Sequence, residues 1–133
     1  MKKIVLDTNV YISAFAFGGE PRRIVNTLIA GKAVNYISDQ IIDELTSVLK
    51  RPKFGYDDAV IRTIIYEVEQ ISELFNDYKV LDLVDRDIKD NHVLACALYA
   101  RADYLVTGDN DLLSGEVPGK LEIITPAQFM EII

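Results

Sequence analysis

The sequence has 133 residues, of which 50% are apolar and 26% are charged. This balance is typical of a globular protein and excludes a disordered, collagen-like or membrane-embedded chain, and the length predicts a single domain over residues 1–133. The net charge of −7 disfavours a protein that binds nucleic acid through a basic surface. That argument weakens if the carboxylates are gathered in one site, because bound divalent cations would reverse the local charge.

Neither a membrane span nor a signal peptide is expected. No apolar run approaches bilayer length, and the apolar stretch that follows Lys3 is interrupted at Asp7. Cys96 is the only cysteine, so a disulfide framework is excluded, and its apolar neighbours predict a buried small hydrophobe. We therefore expect a cytoplasmic protein.

Short apolar runs that end at polar residues predict the strands. The clearest runs are residues 4–6, 34–37 and 104–107, and weaker ones are residues 79–81 and 121–124. The first run is expected to lead into a loop at residues 7–9.

Helical patterns lie between these runs. The clearest is an apolar stripe at helical spacing, formed by Val60, Ile61, Ile64, Ile65, Val68, Ile71 and Phe75. Further helices are predicted from near Pro21, Ser38 and Asp90, and after a capping box at Thr125. Residues 50–55 suit a short turn between helices. Alternating strands and helices predict an α/β fold with parallel strands and helices on both faces of the sheet.

Two aspartates are predicted to meet at one edge of this sheet. Asp7 follows the first strand directly, and Asp109 follows the strand that ends near Val106. Ligands of open parallel sheets bind beyond the carboxyl ends of the strands, which is where both residues fall. Each aspartate alone would more often be a helix cap or a turn residue. The coincidence of the two favours a functional site.

Two further acids lie on or beside apolar helix faces. Asp90 shares a face with Val93, Leu94 and Ala97, so its carboxylate is expected to point inward, as a ligand or as a buried cap. Glu44 borders the buried stripe of its helix, where a solvated surface residue is the alternative. Several carboxylates in one place require a counter-charge, and an all-oxygen ligand set selects Mg²⁺ or Mn²⁺. Such ions support hydrolysis of phosphodiesters.

The residues at these positions resemble the PIN-domain family along nearly the whole chain. The resemblance rests on Val5-Leu6-Asp7-Thr8-Asn9-Val10, Glu44-Leu45, Asp90-Asn91 and the segment from Asp103 to Leu112. Val48-Leu49-Lys50-Arg51-Pro52-Lys53-Phe54 is similar to the sub-group described as toxins of toxin–antitoxin systems. The resemblance implies a three-layer α/β/α domain with a central parallel sheet of about five strands. It also implies a Mg²⁺- or Mn²⁺-dependent endoribonuclease, a homodimer or higher homo-oligomer and a cognate antitoxin protein.

The same resemblance assigns the site residue by residue. It implies that the catalytic residues and metal ligands are Asp7, Glu44, Asp90 and Asp109. Supporting positions are Asn9, Thr107 and Asp111, of which the first two orient carboxylates or water and the third is an additional acidic member. Residues 85–89 depart from the family pattern, which leaves Asp87 as an alternative to Asp90.

Positive charge is concentrated in two places that could guide an RNA backbone. The first is the segment containing Lys50, Arg51 and Lys53, and the second is the pair Arg22 and Arg23. A solvated turn is an equally good explanation of the first. His92 is predicted to lie on the outward, surface side of its helix.

Two other functions compete with ribonuclease activity. A phosphohydrolase of the haloacid dehalogenase type needs a general acid two residues after its first aspartate, and Asn9 cannot protonate a leaving group. A catalytically silent PIN-fold module that binds RNA or protein agrees with the acidic net charge. It would, however, have no reason to keep four mutually repelling acids.

Overall fold

The computed structural model describes residues 1–77, 88–115, 117 and 119–133, apart from the side chains of residues 88–91. Its five strands form one sheet in the order β3-β2-β1-β4-β5, and every pairing is parallel. The strands are β1 (Lys2–Leu6), β2 (Ala33–Ile37), β3 (Glu73–Leu74), β4 (Tyr104–Val106) and β5 (Glu122–Ile124). The predicted α/β fold with a parallel sheet of about five strands is confirmed.

Helices flank this sheet, in agreement with a three-layer arrangement. The described helices are α1 (Thr8–Ala16), α2 (Gly19–Ile29), α3 (Asp39–Leu49), α4 (Asp58–Gln70), α5 (Ile88–Tyr99), α6 (Asn110–Leu113) and α7 (Pro126–Ile132). A short 3₁₀ helix, Pro52–Phe54, joins α3 to α4, as expected for a turn between helices. Within the described ranges, no helix combines the length and apolar character needed to cross a membrane.

The middle of the sheet is the centre of the hydrophobic core. Ile4, Val5 and Leu6 of β1 are completely buried, as are Leu105 and Val106 of β4. A strand of a parallel sheet that is covered on both faces needs a continuous apolar run rather than an alternating one. This explains the continuous apolar runs of β1 and β4 in the sequence.

Two sequence predictions are wrong at the ends of elements. Residues 8–9 are not a loop, because α1 begins at Thr8 and buries Val10 and Tyr11 in the core. The helix predicted over residues 60–75 ends at Gln70, and the chain then forms β3. Ser72 bonds back to the Val68 carbonyl at 2.7 Å, which supports the end of the helix. The strand predicted at residues 79–81 lies outside the described residues.

Local signals at other helix ends are confirmed. The Ser38 hydroxyl accepts a hydrogen bond from the Ile41 N–H at 3.2 Å and caps α3. Thr125 and Gln128 form the predicted capping box at the start of α7. Cys96 is buried, and burial raises the pKa of its thiol to about 12, so it behaves as a small hydrophobe.

Candidate active site

Asp7 lies where β1 ends and α1 begins. Its backbone N–H donates to the Val106 carbonyl at 3.0 Å, so the chain is still held against β4 at this point. The residue occupies the N-cap position of α1, yet its side chain makes no capping hydrogen bond. The carboxylate is therefore not explained by helix capping, which was the simplest structural alternative.

Thr107 connects Asp7 to the loop that follows β4. Its side chain is completely buried, and its hydroxyl donates to Asp7 Oδ2 at 2.8 Å. The Thr107 hydroxyl oxygen in turn accepts a hydrogen bond from the Asp109 N–H at 3.0 Å. One buried hydroxyl thus fixes a carboxylate after β1 and the backbone beside a second carboxylate after β4.

Asp109 is half-buried and caps the short helix α6. Its Oδ1 accepts a hydrogen bond from the Asp111 N–H at 2.9 Å, and Asp111 itself is exposed. Asp109 consequently has a structural role in addition to any chemical one. We define the Asp7 cluster as Asp7, Thr107 and Asp109.

The electrostatic environment of Asp7 disfavours its ionised form. The residue is only 6% exposed, and burial raises the pKa of its carboxyl above the ordinary value. The hydrogen bonds from the Thr107 hydroxyl and the Thr8 N–H oppose this shift of the pKa, and the negative charge of Asp109 adds to it. Next to it, the Thr8 hydroxyl is buried without a hydrogen-bond partner among the described residues. A cation near Asp7 would stabilise the ionised carboxylate.

Glu44 lies in a groove between α3 and α5. It is half-buried, as expected for a residue bordering the apolar stripe of α3. The groove has a volume of about 300 Å³ and is lined by Gln40, Asp43, Glu44, Ser47, Val48, Arg51 and His92. His92, which was predicted to lie on the outward, surface side of its helix, is half-buried and lines the groove with Glu44.

Three further residues considered for the site are Asp90, Asp87 and Asn9. Asp90 is in the first turn of α5, but its side chain lies outside the described residues, as does Asp87 altogether. Asn9 is exposed in the first turn of α1, so its role in orienting carboxylates stays a prediction. In the described part of the chain, no three His, Cys, Asp or Glu side chains are grouped closely enough to hold one metal ion.

The donor chemistry of the Asp7 cluster nevertheless fits a hard divalent cation. Its side chains offer carboxylate and hydroxyl oxygens, which are the ligands preferred by Mg²⁺ and Mn²⁺. Two negative side chains beside one another, one of them buried, form an arrangement that a cation would stabilise. Glu44 and Asp90 remain the candidates for completing the ligand set.

The basic segments differ in their surroundings. Lys50, Arg51 and Lys53 are exposed, and the Lys53 ammonium lies 5.1 Å from the centre of the Phe54 ring. At the other location, Arg23 is paired with Glu20 at 2.9 Å. The segment around Arg51 adjoins the groove that contains Glu44, and sequence reasoning had no means of placing the two together with His92.

The fold and the Asp7 cluster together define a class of α/β proteins with an acidic site at the carboxyl edge of a parallel sheet. More specifically, the chain belongs to the PIN-domain family, because the family model for the PIN domain matches residues 3–111. It is also 31% identical over 142 aligned positions to an uncharacterized protein of Methanocaldococcus jannaschii, covering 97% of this chain and 90% of that protein. PIN domains are generally metal-dependent ribonucleases, so membership indicates a nuclease.

Proposed function

We propose that this protein is a Mg²⁺- or Mn²⁺-dependent endoribonuclease whose acidic site consists of Asp7, Glu44, Asp90 and Asp109. The observation that carries the proposal is the Asp7 cluster, in which a buried carboxylate is oriented by Thr107 instead of capping its helix. A buried acid with a raised pKa at a sheet edge is more typical of a functional site than of a stabilising one.

In the proposed reaction, water attacks a phosphodiester of RNA. A bond forms between the water oxygen and phosphorus, the bond from phosphorus to the leaving ribose oxygen breaks, and that oxygen gains a proton. A bound divalent cation would supply activation of the water and charge stabilisation at the leaving oxygen. The chain would contribute the carboxylates that hold the cation, and Thr107 would keep Asp7 in one orientation.

A role as the toxin of a toxin–antitoxin pair is the finer part of the proposal. It is supported by the likeness of residues 48–54 to the toxin sub-group, and it implies an antitoxin partner. We also propose a homodimer or higher homo-oligomer. Expression of the chain should then arrest growth, and co-expression of the neighbouring small open reading frame should relieve the arrest. Expression without any effect on growth would remove the toxin role and leave the nuclease proposal standing.

The decisive test of the nuclease proposal uses linear and circular single-stranded RNA. The purified protein should cleave both with Mg²⁺ or Mn²⁺ and neither in EDTA, because only an endonuclease opens a circle and only a metal-dependent one needs the ion. Metal at about a hundred times its dissociation constant should also stabilise the fold by roughly 2.7 kcal/mol per site, measured by thermal unfolding. Full cleavage in EDTA would contradict the mechanism. RNA binding without cleavage at any metal concentration would favour the silent module.

A further inference from the structure

The groove between α3 and α5 is lined by several polar groups in addition to its two acids, Asp43 and Glu44. Glu44 is joined there by an amide, a hydroxyl, a guanidinium and an imidazole, from Gln40, Ser47, Arg51 and His92. A groove of about 300 Å³ with a few polar groups is at the lower end of the size range of small-ligand sites. A role for this groove in holding the substrate rests on the proposed ribonuclease function.

Arg51 is the feature that suggests an anionic ligand. It is the only lysine or arginine among the described residues that line the groove. Its guanidinium forms no ion pair within 4.0 Å with another residue in the described ranges, although Asp43 and Glu44 line the same groove. A planar guanidinium binds phosphate through two parallel hydrogen bonds, which an ammonium cannot do.

His92 contributes an imidazole ring to the lining of the same groove. It comes from α5, whereas Arg51 follows the end of α3, so the two side chains border the groove from different elements. Proteins that recognise single-stranded RNA stack unpaired bases on flat side chains such as histidine. Gln40 and Ser47 add donors and acceptors suited to a base edge or a ribose hydroxyl.

We propose that this groove binds the nucleotide adjacent to the scissile phosphate of a single-stranded RNA. Arg51 holds the phosphate of that nucleotide, and His92 stacks on its base. Glu44 lies in the same groove and, in the proposed site, also serves the metal, so a nucleotide bound here places its neighbouring phosphodiester beside Glu44. Lys50 and Lys53, which lie on either side of Arg51 in the sequence, are exposed and add positive charge to this segment.

The test measures binding of a single-stranded RNA oligonucleotide in an Asp7→Asn background, which prevents cleavage and leaves the groove intact. Arg51→Ala should weaken binding about tenfold or more. The slope of log K against log salt concentration should also become shallower by roughly 0.7, as expected for the loss of one phosphate contact. Arg51→Lys should restore the slope but not the full affinity. Arg62→Ala is the matched control, since Arg62 is exposed on α4 and lines none of the described grooves.

His92→Ala should weaken binding about fivefold or more, as expected for loss of one stacked base, and His92→Phe should recover most of it. Thermal melting of each variant separates a lost contact from a lost fold. Binding by Arg51→Ala and His92→Ala equal to that of Arg62→Ala would overturn the proposal, as would an Asp7→Asn parent protein that binds no RNA. Cleavage is measured separately in protein that retains Asp7. If this protein is inactive but the predicted binding losses are found, only the proposed nuclease function is rejected. If it is active and neither Arg51→Ala nor His92→Ala changes KM, only the proposed role of the groove is rejected.

Discussion

Asp7 and Asp103 occupy opposite ends of the same pair of strands and have opposite surroundings. Asp103 precedes β4, where its carboxylate accepts a hydrogen bond from the Lys3 N–H at 2.9 Å and lies 3.4 Å from the Lys120 ammonium. The Lys3 N–H and the nearby lysines lower the pKa of its carboxyl. Asp7 follows β1, where burial and Asp109 raise the pKa. The surroundings of Asp103 therefore favour its ionised form, whereas the surroundings of Asp7 disfavour its ionised form.

The comparison shows which aspartate the fold uses for its own stability. At the amino edge of the sheet, Asp103 ties β1 to β4 and its charge is compensated by partners. At the carboxyl edge, the described residues around Asp7 supply the Thr107 hydroxyl, the Thr8 N–H and a second acid but no ammonium or guanidinium. A buried carboxylate without a cationic partner reduces stability, and such a residue is more typical of a functional site than of a stabilising one.

The largest expected effect is a difference in RNA cleavage between variants of Asp7 and of Asp103. Asp7→Asn preserves shape but removes a charged ligand, and we expect cleavage of RNA to fall by about a hundredfold or more. Asp103→Asn is the matched control and should leave activity within about twofold, because Asp103 lies at the other edge of the sheet. Initial rates at saturating Mn²⁺ check both. An Asp7→Asn enzyme as active as the wild type would place the active site elsewhere.

A smaller effect is expected from the residue that orients Asp7. Thr107→Val keeps the volume of the side chain but leaves Asp7 Oδ2 and the Asp109 N–H without their shared partner. We expect activity and Mn²⁺ affinity to fall about tenfold to a hundredfold, the range measured for residues that hold metal ligands in place. Thr107→Ser should recover most of the loss.

The control for this prediction is another buried threonine. The Thr27 hydroxyl donates to the Arg23 carbonyl within α2 at 3.0 Å and makes no hydrogen bond to the Asp7 cluster. Thr27→Val should alter stability without altering Mn²⁺ affinity. If Thr107→Val and Thr27→Val behave alike in metal titrations followed by thermal melting, Thr107 is only a structural residue.

The smallest expected effect is on the pH dependence of stability in EDTA. The folded pKa of Asp103 is lowered, so its stabilisation is present above the unfolded value of about 3.9 and is lost as the pH falls through the folded pKa. The folded pKa of Asp7 is raised, so its contribution is most favourable below the unfolded pKa and is lost as the pH rises through the folded pKa. The two aspartates should therefore act in opposite directions.

Urea unfolding between about pH 3 and pH 8 measures this difference. At neutral pH, Asp103→Asn should lower the free energy of unfolding by less than about 1 kcal/mol, in keeping with a partly exposed ion pair. Asp7→Asn should leave it unchanged or raise it. Both differences should shrink toward the acid end of the series. A neutral-pH loss of stability in Asp7→Asn would identify Asp7 as a stabilising residue and remove the contrast with Asp103.

The sequence predicted the elements whose signals are local. The continuous apolar runs of β1 and β4 reflect burial on both faces, and the capping residues Ser38 and Thr125 mark the starts of α3 and α7. It failed where a tertiary contact decides the conformation. Helical periodicity continues through Phe75, but the Phe75 N–H bonds to the Ile37 carbonyl at 2.8 Å, so pairing with β2 prevails over the local helical pattern.

The candidate site divides in the same way. By itself, the sequence determined that Asp7 and Asp109 each follow a strand of one parallel sheet, because strand polarity sends both to the carboxyl edge of the sheet. Only the tertiary structure decided that Thr107 joins them, that Asp7 is buried without capping α1, and that His92 shares a groove with Glu44. Residue type and spacing show which residues share one face of a helix. Packing between α3 and α5 determines which faces of the two helices lie against each other, and this cannot be read from either helix alone.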